Sequence, residues 1–480
     1  MSLSLTVGLT RSKTIQKTRN PPTIYHISTK STMKTDRRTF VKQLGAVSAS
    51  TAVVQPFNII KSLNDNKVRI ATIGMGIQGF QDTKAALRTD MCELVAVADL
   101  YDGRLAHTKE VFGNHVYTTR DYREILERKD VDAVLIVTPD HWHDRISIAA
   151  LKKGKHVYCE KPMVQNIEEG AAVIAAAKAA GKVMQIGSQR ISGAVFQEAK
   201  RLVEAGDIGM INFIESTNDR FNAIGAWQYS IPTDASPKTI DWETFLGDAP
   251  KRPYDPLRFF RWRNYRDYGT GVAGDLFIHL ITGVHFVTGS LGPNRIFSSG
   301  QLSYWKDGRD VPDVMVATME YPTQGKFDPF QMVLRVNFAN AGSIKNVTRI
   351  VGNEGEITFS GESLTVTKRK LAAAPGYGNG ESFGTFTDAQ QKEYLTIYDA
   401  KYPTESRTPE PVKEVKFDAP QGDDAHKNHF AHFFDGILSN KPIIEDPLFG
   451  FRAAAPVLAC NKSYFEKKVI TWDPKNLKLG

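Results

Sequence analysis

Three things are scarce in this 480-residue chain: cysteine, long apolar runs and, beyond its first 64 residues, net charge of either sign. Three cysteines (Cys92, Cys159 and Cys460) are too few for a disulfide framework, and their spacing matches no zinc pattern. No run of about 18 apolar residues occurs, so no integral membrane segment is expected. No repeat of about 20–50 residues is seen, which argues against a solenoid or propeller. The formal net charge of +8 suggests a partner of opposite sign, but ten basic residues against the single acid Asp36 lie within residues 1–64. The remaining 416 residues carry 51 basic and 52 acidic side chains. The body therefore gives no electrostatic case for nucleic acid. At 41% hydrophobic content the whole chain has the composition of a globular protein, and a body of 416 residues suggests two or three domains.

The basic residues form a leader. Arg37 and Arg38 are followed by Phe40, Lys42 and a weakly apolar run rich in Gly, Ala and Ser, so residues 33–54 resemble a twin-arginine export signal. Residues 1–64 are expected to be a disordered basic leader. Met33 stands where such a signal begins, and no clear cleavage site is seen after it. The expected destination is the periplasm, reached in folded form through the twin-arginine machinery.

Beyond the leader, strands alternate with helices. Residues 67–73 read as a buried strand running into Gly74-x-Gly76-x-x-Gly79, then a helix to about Leu87, then a strand over 92–98 ending at Asp99. Gly74 permits a tight turn, Gly76 lets the backbone approach a pyrophosphate, and Gly79 lets the helix pack close to the strand. The helix start, with Ile77 and Gln78, offers free N–H groups to an anion. Asp99, twenty residues beyond Gly79, suits two ribose hydroxyls and repels a 2′-phosphate, which favours NAD over NADP. Further strands over 132–138, 155–159 and 183–187 alternate with helices over 122–128, 146–153 and 168–180. The expected fold is α/β: a doubly wound parallel Rossmann sheet over residues 65–190, with its ligand at the strand C-terminal ends. Those ends carry Thr138, Pro139 and His143, then Glu160 and Lys161, then Gln189. A lysine beside a nicotinamide can hold or relay a hydroxyl proton; elsewhere it would be an ordinary surface lysine. His141 and His143 lack the paired acid or cysteine of a metal site, and no metal is expected.

Residues 191–440 read as an α+β domain with an open, mainly antiparallel sheet, one face of which would cover the cofactor cleft or form a dimer interface. Residues 441–480 are expected to be a C-terminal segment. Residues 218–268 are irregular and aromatic, and serve packing or sugar stacking; Trp262 and Arg263 are candidate substrate contacts. Asp275 and His279 fall i, i+4 at a helix start, on one face. An acid one turn before a histidine can orient it as a general base, or the pair can be a cap and a buried histidine. Residues 371–425 look like a long excursion with little regular structure.

These motifs resemble the Gfo/Idh/MocA oxidoreductase family. The resemblance rests on the glycine loop, Thr-Pro-Asp-His-Trp-His (138–143), Gly-Lys-His-Val-Tyr-Cys-Glu-Lys-Pro (154–162), Gly-Ser-Gln (187–189) and Asp275-x-x-x-His279. It implies that Lys161 lies between nicotinamide and substrate, that His279 is the acid/base with Asp275 in support, and that the C-terminal segment packs back near the first domain; a homo-oligomer is expected. The chain departs from the family at Phe277, often Gly, and at Leu280, Ile281 and Thr282, where an acid often comes after the histidine. The implied activity is NAD-dependent hydride transfer at a hydroxyl carbon of a sugar, glycoside or cyclitol. An NAD-dependent glycoside hydrolase or lyase working by transient C3 oxidation is the alternative; a non-catalytic NAD- or sugar-binding protein is the other.

Overall fold

A computed structural model describes residues 67–325, 327–342, 346–378 and 380–480. The leader of residues 1–64, with the expected twin-arginine signal at 33–54, lies outside the described residues.

The first domain is a six-stranded sheet built from β1 (Val68–Ile73), β2 (Cys92–Ala98), β3 (Tyr117–Thr119), β4 (Ala133–Ile136), β5 (His156–Glu160) and β6 (Met184–Gly187). The spatial order is β3-β2-β1-β4-β5-β6, and every pairing is parallel. Helices cover both faces, so β4 and β6 are buried at every residue, which is why they read as unbroken apolar runs. The chain order reverses beside β1, and the crevice for a ligand opens there, above the strand C-termini. The helices are α1 (Ile77–Leu87), α2 (Asp102–Phe112), α3 (Tyr122–Glu127), α4 (His143–Lys152) and α5 (Gly170–Ala180). Helix α2 and strand β3 are not legible in the sequence: α2 buries only Thr108, so it carries almost no apolar face.

The second domain opens with α6 (Ala194–Glu204) and β7 (Ile211–Thr217), continues through α7 (Trp242–Leu246) and α8 (Pro256–Phe260), and reaches a wide π-type turn over Ala273–Phe277 leading into α9 (Ile278–Thr288). Then come β8 (Arg295–Gln301), β9 (Val314–Tyr321), β10 (Phe330–Asn337), β11 (Thr348–Gly352), β12 (Gly355–Ser360) and β13 (Ser363–Lys368). They join a ten-stranded sheet in which β7 and β10 pair in parallel and the other pairings are antiparallel. One face is packed and the other open, as the alternation in β9 shows: Met315, Ala317, Met319 and Tyr321 point inward.

Two expectations need correction. The excursion at 371–425 holds regular structure: α10 (Asp388–Lys401) and the edge strand β14 (Lys413–Asp418). Helix α10 starts at a capping box between Thr387 and Gln390, and Tyr394 and Tyr398 stack one turn apart along it. Strand β14 pairs with β13 but exposes nearly every side chain, so it lacks a buried stripe to betray it. The return to the first domain also begins earlier than residue 441. Helix α11 (Ala425–Ser439) places Phe430, Phe433 and Phe434 in the first domain's core beside Tyr158. Each fully buried phenylalanine contributes about 1.5–3 kcal/mol, so α11 is structurally part of that domain. Helix α12 (Pro447–Glu466) packs against both: Gly450 abuts Ile186 of β6, and the Cys460 carbonyl accepts a hydrogen bond from Ser298 of β8 at 2.5 Å. Cys460 itself is fully buried, a core residue.

Candidate active site

The glycine loop closes β1 onto α1. Gly74 has φ +95°, and a Cβ there would lie 2.6 Å from the Val137 carbonyl oxygen, so the turn admits no side chain. A Cβ on Gly79 would lie 2.1 Å from the Gly74 carbonyl oxygen, because helix and loop touch there. Gly76 differs: a Cβ would meet only the tip of Arg104, at 3.9 Å. The space before it is open toward the cleft, at the start of α1, where a pyrophosphate fits. Gly79→Ala is therefore expected to push α1 off β1, weakening NAD binding by about tenfold or more and lowering the melting temperature. Calorimetric titration with NAD and thermal unfolding check this.

The cleft above the strand ends has a volume of about 1070 Å³. Gly74, Gly76, Ile77, Gln78, Asp99, Thr138, Pro139, His143, Glu160 and Lys161 line it, joined by Trp262 and Arg263 of the second domain. Two expected cofactor contacts stand behind its wall: Gly79 inside α1, and Gln189, whose amide donates to Tyr158 at 2.8 Å and to Glu160 at 2.5 Å. Asp99 is almost fully buried and accepts from the Met75 N–H at 2.7 Å and the Tyr101 N–H at 2.9 Å. Those bonds fix the carboxylate to the glycine loop while it still faces the cleft. Arg104 reaches Asp99 at 3.5 Å and stacks over Phe259 and Phe260. Sequence reasoning misses Arg104, because it misses α2 itself. His143 sits between the carbonyl oxygens of Pro162, at 2.7 Å, and Thr138, at 2.9 Å, tying two strand ends together. His141 is bound to the Phe245 carbonyl, and burial pushes its pKa down to about 4. Among the described residues no group of three or more His, Cys, Asp or Glu side chains is arranged to hold a metal ion.

The aromatic segment divides. Trp242, Phe245, Phe259, Phe260, Tyr265 and Tyr268 form a buried cluster, which is packing. Phe245, Phe259 and Phe260 of that cluster also line the cleft, together with Tyr229 and Trp262. The interleaved arginines divide likewise. Arg258 is paired with Asp255 and Asp267, and Arg261 binds the Tyr229 carbonyl and Gln228. Arg263 alone reaches the site, where its Nε donates to Asp275 at 3.2 Å.

Lys161 and Asp275 meet across the two domains. The Lys161 Nζ donates to the Asp275 carboxylate at 3.0 Å and to its main-chain carbonyl at 3.1 Å. Asp275 stands in the wide turn of Ala273–Phe277, a geometry that recurs at functional sites. Burial alone would raise its pKa; Lys161 and Arg263 outweigh that and hold it ionised, well below the usual carboxylate range. The i, i+4 spacing predicts that Asp275 orients His279, but no hydrogen bond joins them. Instead Asp275 is engaged by two cations, and the His279 Nδ1 is buried without a partner. His279 lines a separate pocket of about 300 Å³ with Arg190. Burial and the charges of Lys161 and Arg190 press its pKa well below the ordinary value, so the ring is neutral at pH 7 and able to accept a proton.

Comparison with known proteins agrees with this architecture. Residues 68–188 match a family model described as the oxidoreductase family, NAD-binding Rossmann fold, and residues 192–295 match the same family's C-terminal alpha/beta domain. A myo-inositol 2-dehydrogenase of Thermotoga maritima is 32% identical over 240 residues, 47% of this chain and 67% of that protein. The chain belongs to the Gfo/Idh/MocA oxidoreductase family. A scyllo-inositol 2-dehydrogenase (NAD(+)) of Bacillus subtilis is 33% identical over 146 residues, 30% of this chain, which spans 42% of that relative's length. The fold is shared with a levoglucosan dehydrogenase solved with NADH and levoglucosan, at TM-score 0.61 and 19% identity, covering 84% of this chain and 99% of that one.

This Gfo/Idh/MocA protein also buries a group of acids beneath the cofactor cleft. Asp82 of α1 accepts from Gln78 at 2.8 Å and contacts His426 at 2.7 Å, while its other oxygen is buried without a partner. Burial pushes its pKa up to about 7 and that of neighbouring Glu160 up to about 8. The absence of a side chain at Gly187 makes room for Glu160: a Cβ there would lie 2.4 Å from its carboxyl oxygen. A raised acid contributes stability that is complete below the unfolded pKa and is lost as pH rises through the folded one. For Asp82 that window runs from the ordinary value of 3.8 up to about 7. Asp82→Asn, a permanently neutral mimic, should thus match the wild type at about pH 4 and exceed it in stability at about pH 8. Denaturant titrations at the two pH values test this; equal stabilities at both would contradict a buried ionisable Asp82.

Proposed function

We propose that this protein is an NAD-dependent oxidoreductase that moves hydride between the nicotinamide and a hydroxyl-bearing carbon of a sugar, glycoside or cyclitol. The observation that carries this reading is the Lys161–Asp275 contact, made across the two domains at the edge of the NAD cleft, with neutral His279 one turn beyond. The relatives that are inositol dehydrogenases, and the levoglucosan dehydrogenase fold, support a polyhydroxylated substrate. Bound NAD supplies the hydride acceptor. Lys161 holds the substrate hydroxyl oxygen and steadies its developing negative charge. Asp275 fixes Lys161 through two hydrogen bonds. His279 accepts the hydroxyl proton as the C–H bond breaks. Trp262, Tyr229 and Arg263 shape the substrate end of the cleft.

The resemblance of residues 33–54 to a twin-arginine signal supports export in the folded state to the periplasm, with the cofactor bound. A dinucleotide carried in that way must be regenerated in place, either by a second substrate or by re-reduction of the first. The open face of the ten-stranded sheet suits a homo-oligomer. Mass spectrometry of the protein as purified, then turnover with a panel of sugars, glycosides and cyclitols, tests the proposal. Bound NAD with substrate-dependent absorbance change is expected; failure to bind NAD would remove the enzyme reading. Release of an aglycone with no net change in cofactor absorbance would mean the glycoside-cleaving reaction instead.

A further inference from the structure

We infer that the substrate carries an anionic group, a carboxylate or phosphate on the sugar or cyclitol, which is seated on Arg190 and Arg220 beside His279. The inference rests on the oxidoreductase reading and sharpens it. Arg190 stands in the short turn Gln189–Ser192 and shares with His279 a pocket whose wall is otherwise mostly apolar, with Phe196, Val284 and Ile350. Among the described residues its guanidinium has no hydrogen bond and no ion pair. Arg220 donates to the Gly225 carbonyl at 2.9 Å and lies over the Phe338 ring at 5.5 Å, and it too has no carboxylate partner among the described residues.

The neighbouring acids are already taken. Asp219 is held by Arg335 at 2.6 Å and Asn340 at 2.7 Å, Glu215 by Arg349 at 2.7 Å, and Asp275 by Lys161 and Arg263. Arg190 shares its pocket with His279, and the charges of both guanidiniums bear on the ring. After burial, Arg220 is what depresses Arg190; Lys161, Arg190 and Arg220 all depress His279, and Asp275 alone opposes them. Arg220 also acts on Tyr229, which lines the cofactor cleft. A neutral polyol would leave this repulsion uncompensated. A carboxylate or phosphate accepts paired, charge-assisted bonds from guanidinium and neutralises it. The apolar wall lowers the local dielectric and strengthens that attraction.

The test measures cofactor absorbance on the purified, NAD-loaded protein with matched substrates: methyl glucoside against methyl glucuronide, and inositol against inositol phosphate. The anionic member of a pair should win in kcat/KM by about tenfold or more, and its advantage should shrink as salt is added. Preference for the glucuronide marks a carboxylate, and preference for the phosphate marks a phosphoryl group. Arg190→Gln and Arg220→Gln should each cut the anionic-to-neutral ratio by about tenfold, through KM, with NAD still bound. Neutral members turned over as well as their charged partners, or ratios unmoved in both variants, would overturn the inference while leaving the oxidoreductase standing. No absorbance change with either member of any pair would overturn both.

Discussion

Lys161→Ala is expected to lower turnover by about a hundredfold to ten-thousandfold while the protein keeps its fold and its NAD. The expected loss is large because Lys161 brings a cation to the junction of the cofactor cleft and the second domain. Its Nζ is bound twice to Asp275 and lies in a lysine side chain only 10% exposed, so the ammonium has little freedom to point elsewhere. A group held in that way steadies an alkoxide without reorganising, and such preorganised charge is where enzymes gain most. The fold should survive because Asp275 keeps its bond from Arg263 at 3.2 Å, and NAD should stay because the glycine loop and Asp99 are untouched. Steady-state rates read beside the NAD content of the same preparation separate the two effects. Unchanged turnover would refute the role given to Lys161, and loss of NAD would make it a cofactor-binding residue instead.

The distinction between legible and illegible features tracks the range of the interactions. The glycine loop is readable because its constraints are local: Gly74 answers to a turn against the adjacent strand end and Gly79 to a contact with the loop itself, while Gly76 keeps the approach to the helix start open. The parallel strands are readable because burial on both faces leaves continuous apolar runs. Helix α2 is not, since it buries almost nothing, and Arg104 on it goes unseen at the cleft. The Asp275–His279 pair lacks a hydrogen bond for a geometric reason. The i, i+4 rule assumes a regular helix, but the turn that holds Asp275 is widened, and its carboxylate is claimed by Lys161, 114 residues away in sequence. Likewise, no local pattern says that Arg258 is paired with Asp255 and Asp267 while Arg190 and Arg220 have no carboxylate partner among the described residues. Pairing is decided by which acids the fold brings near. The identity of the site residues is thus written in motifs, and the wiring among them is written in the tertiary structure.

That wiring makes Asp275 the residue whose loss should cost the most in stability. Asp275→Ala removes the one carboxylate that Lys161 and Arg263 share, with side chains only 10% and 24% exposed. Leaving a buried charge without its partner typically costs about 3–5 kcal/mol, a large part of a total stability of about 5–15 kcal/mol. Asp275→Asn should cost less, because it keeps the volume and an acceptor oxygen, but it cannot neutralise either cation. The pH dependence separates charge from shape. A carboxyl whose folded pKa is depressed contributes stability that is present above its unfolded pKa and is lost as pH falls toward the folded one. The difference between wild type and Asp275→Asn should therefore be full at pH 7 and shrink as pH drops below the ordinary carboxylate value of 3.8. Denaturant unfolding across that range measures it; a gap that did not close in acid would mean packing and not charge. In a double-mutant cycle the activity losses of Lys161→Ala and Asp275→Asn should be strongly non-additive, because the carboxylate acts on the reaction by holding the lysine. Additive losses would instead give Asp275 a contact with the substrate independent of Lys161.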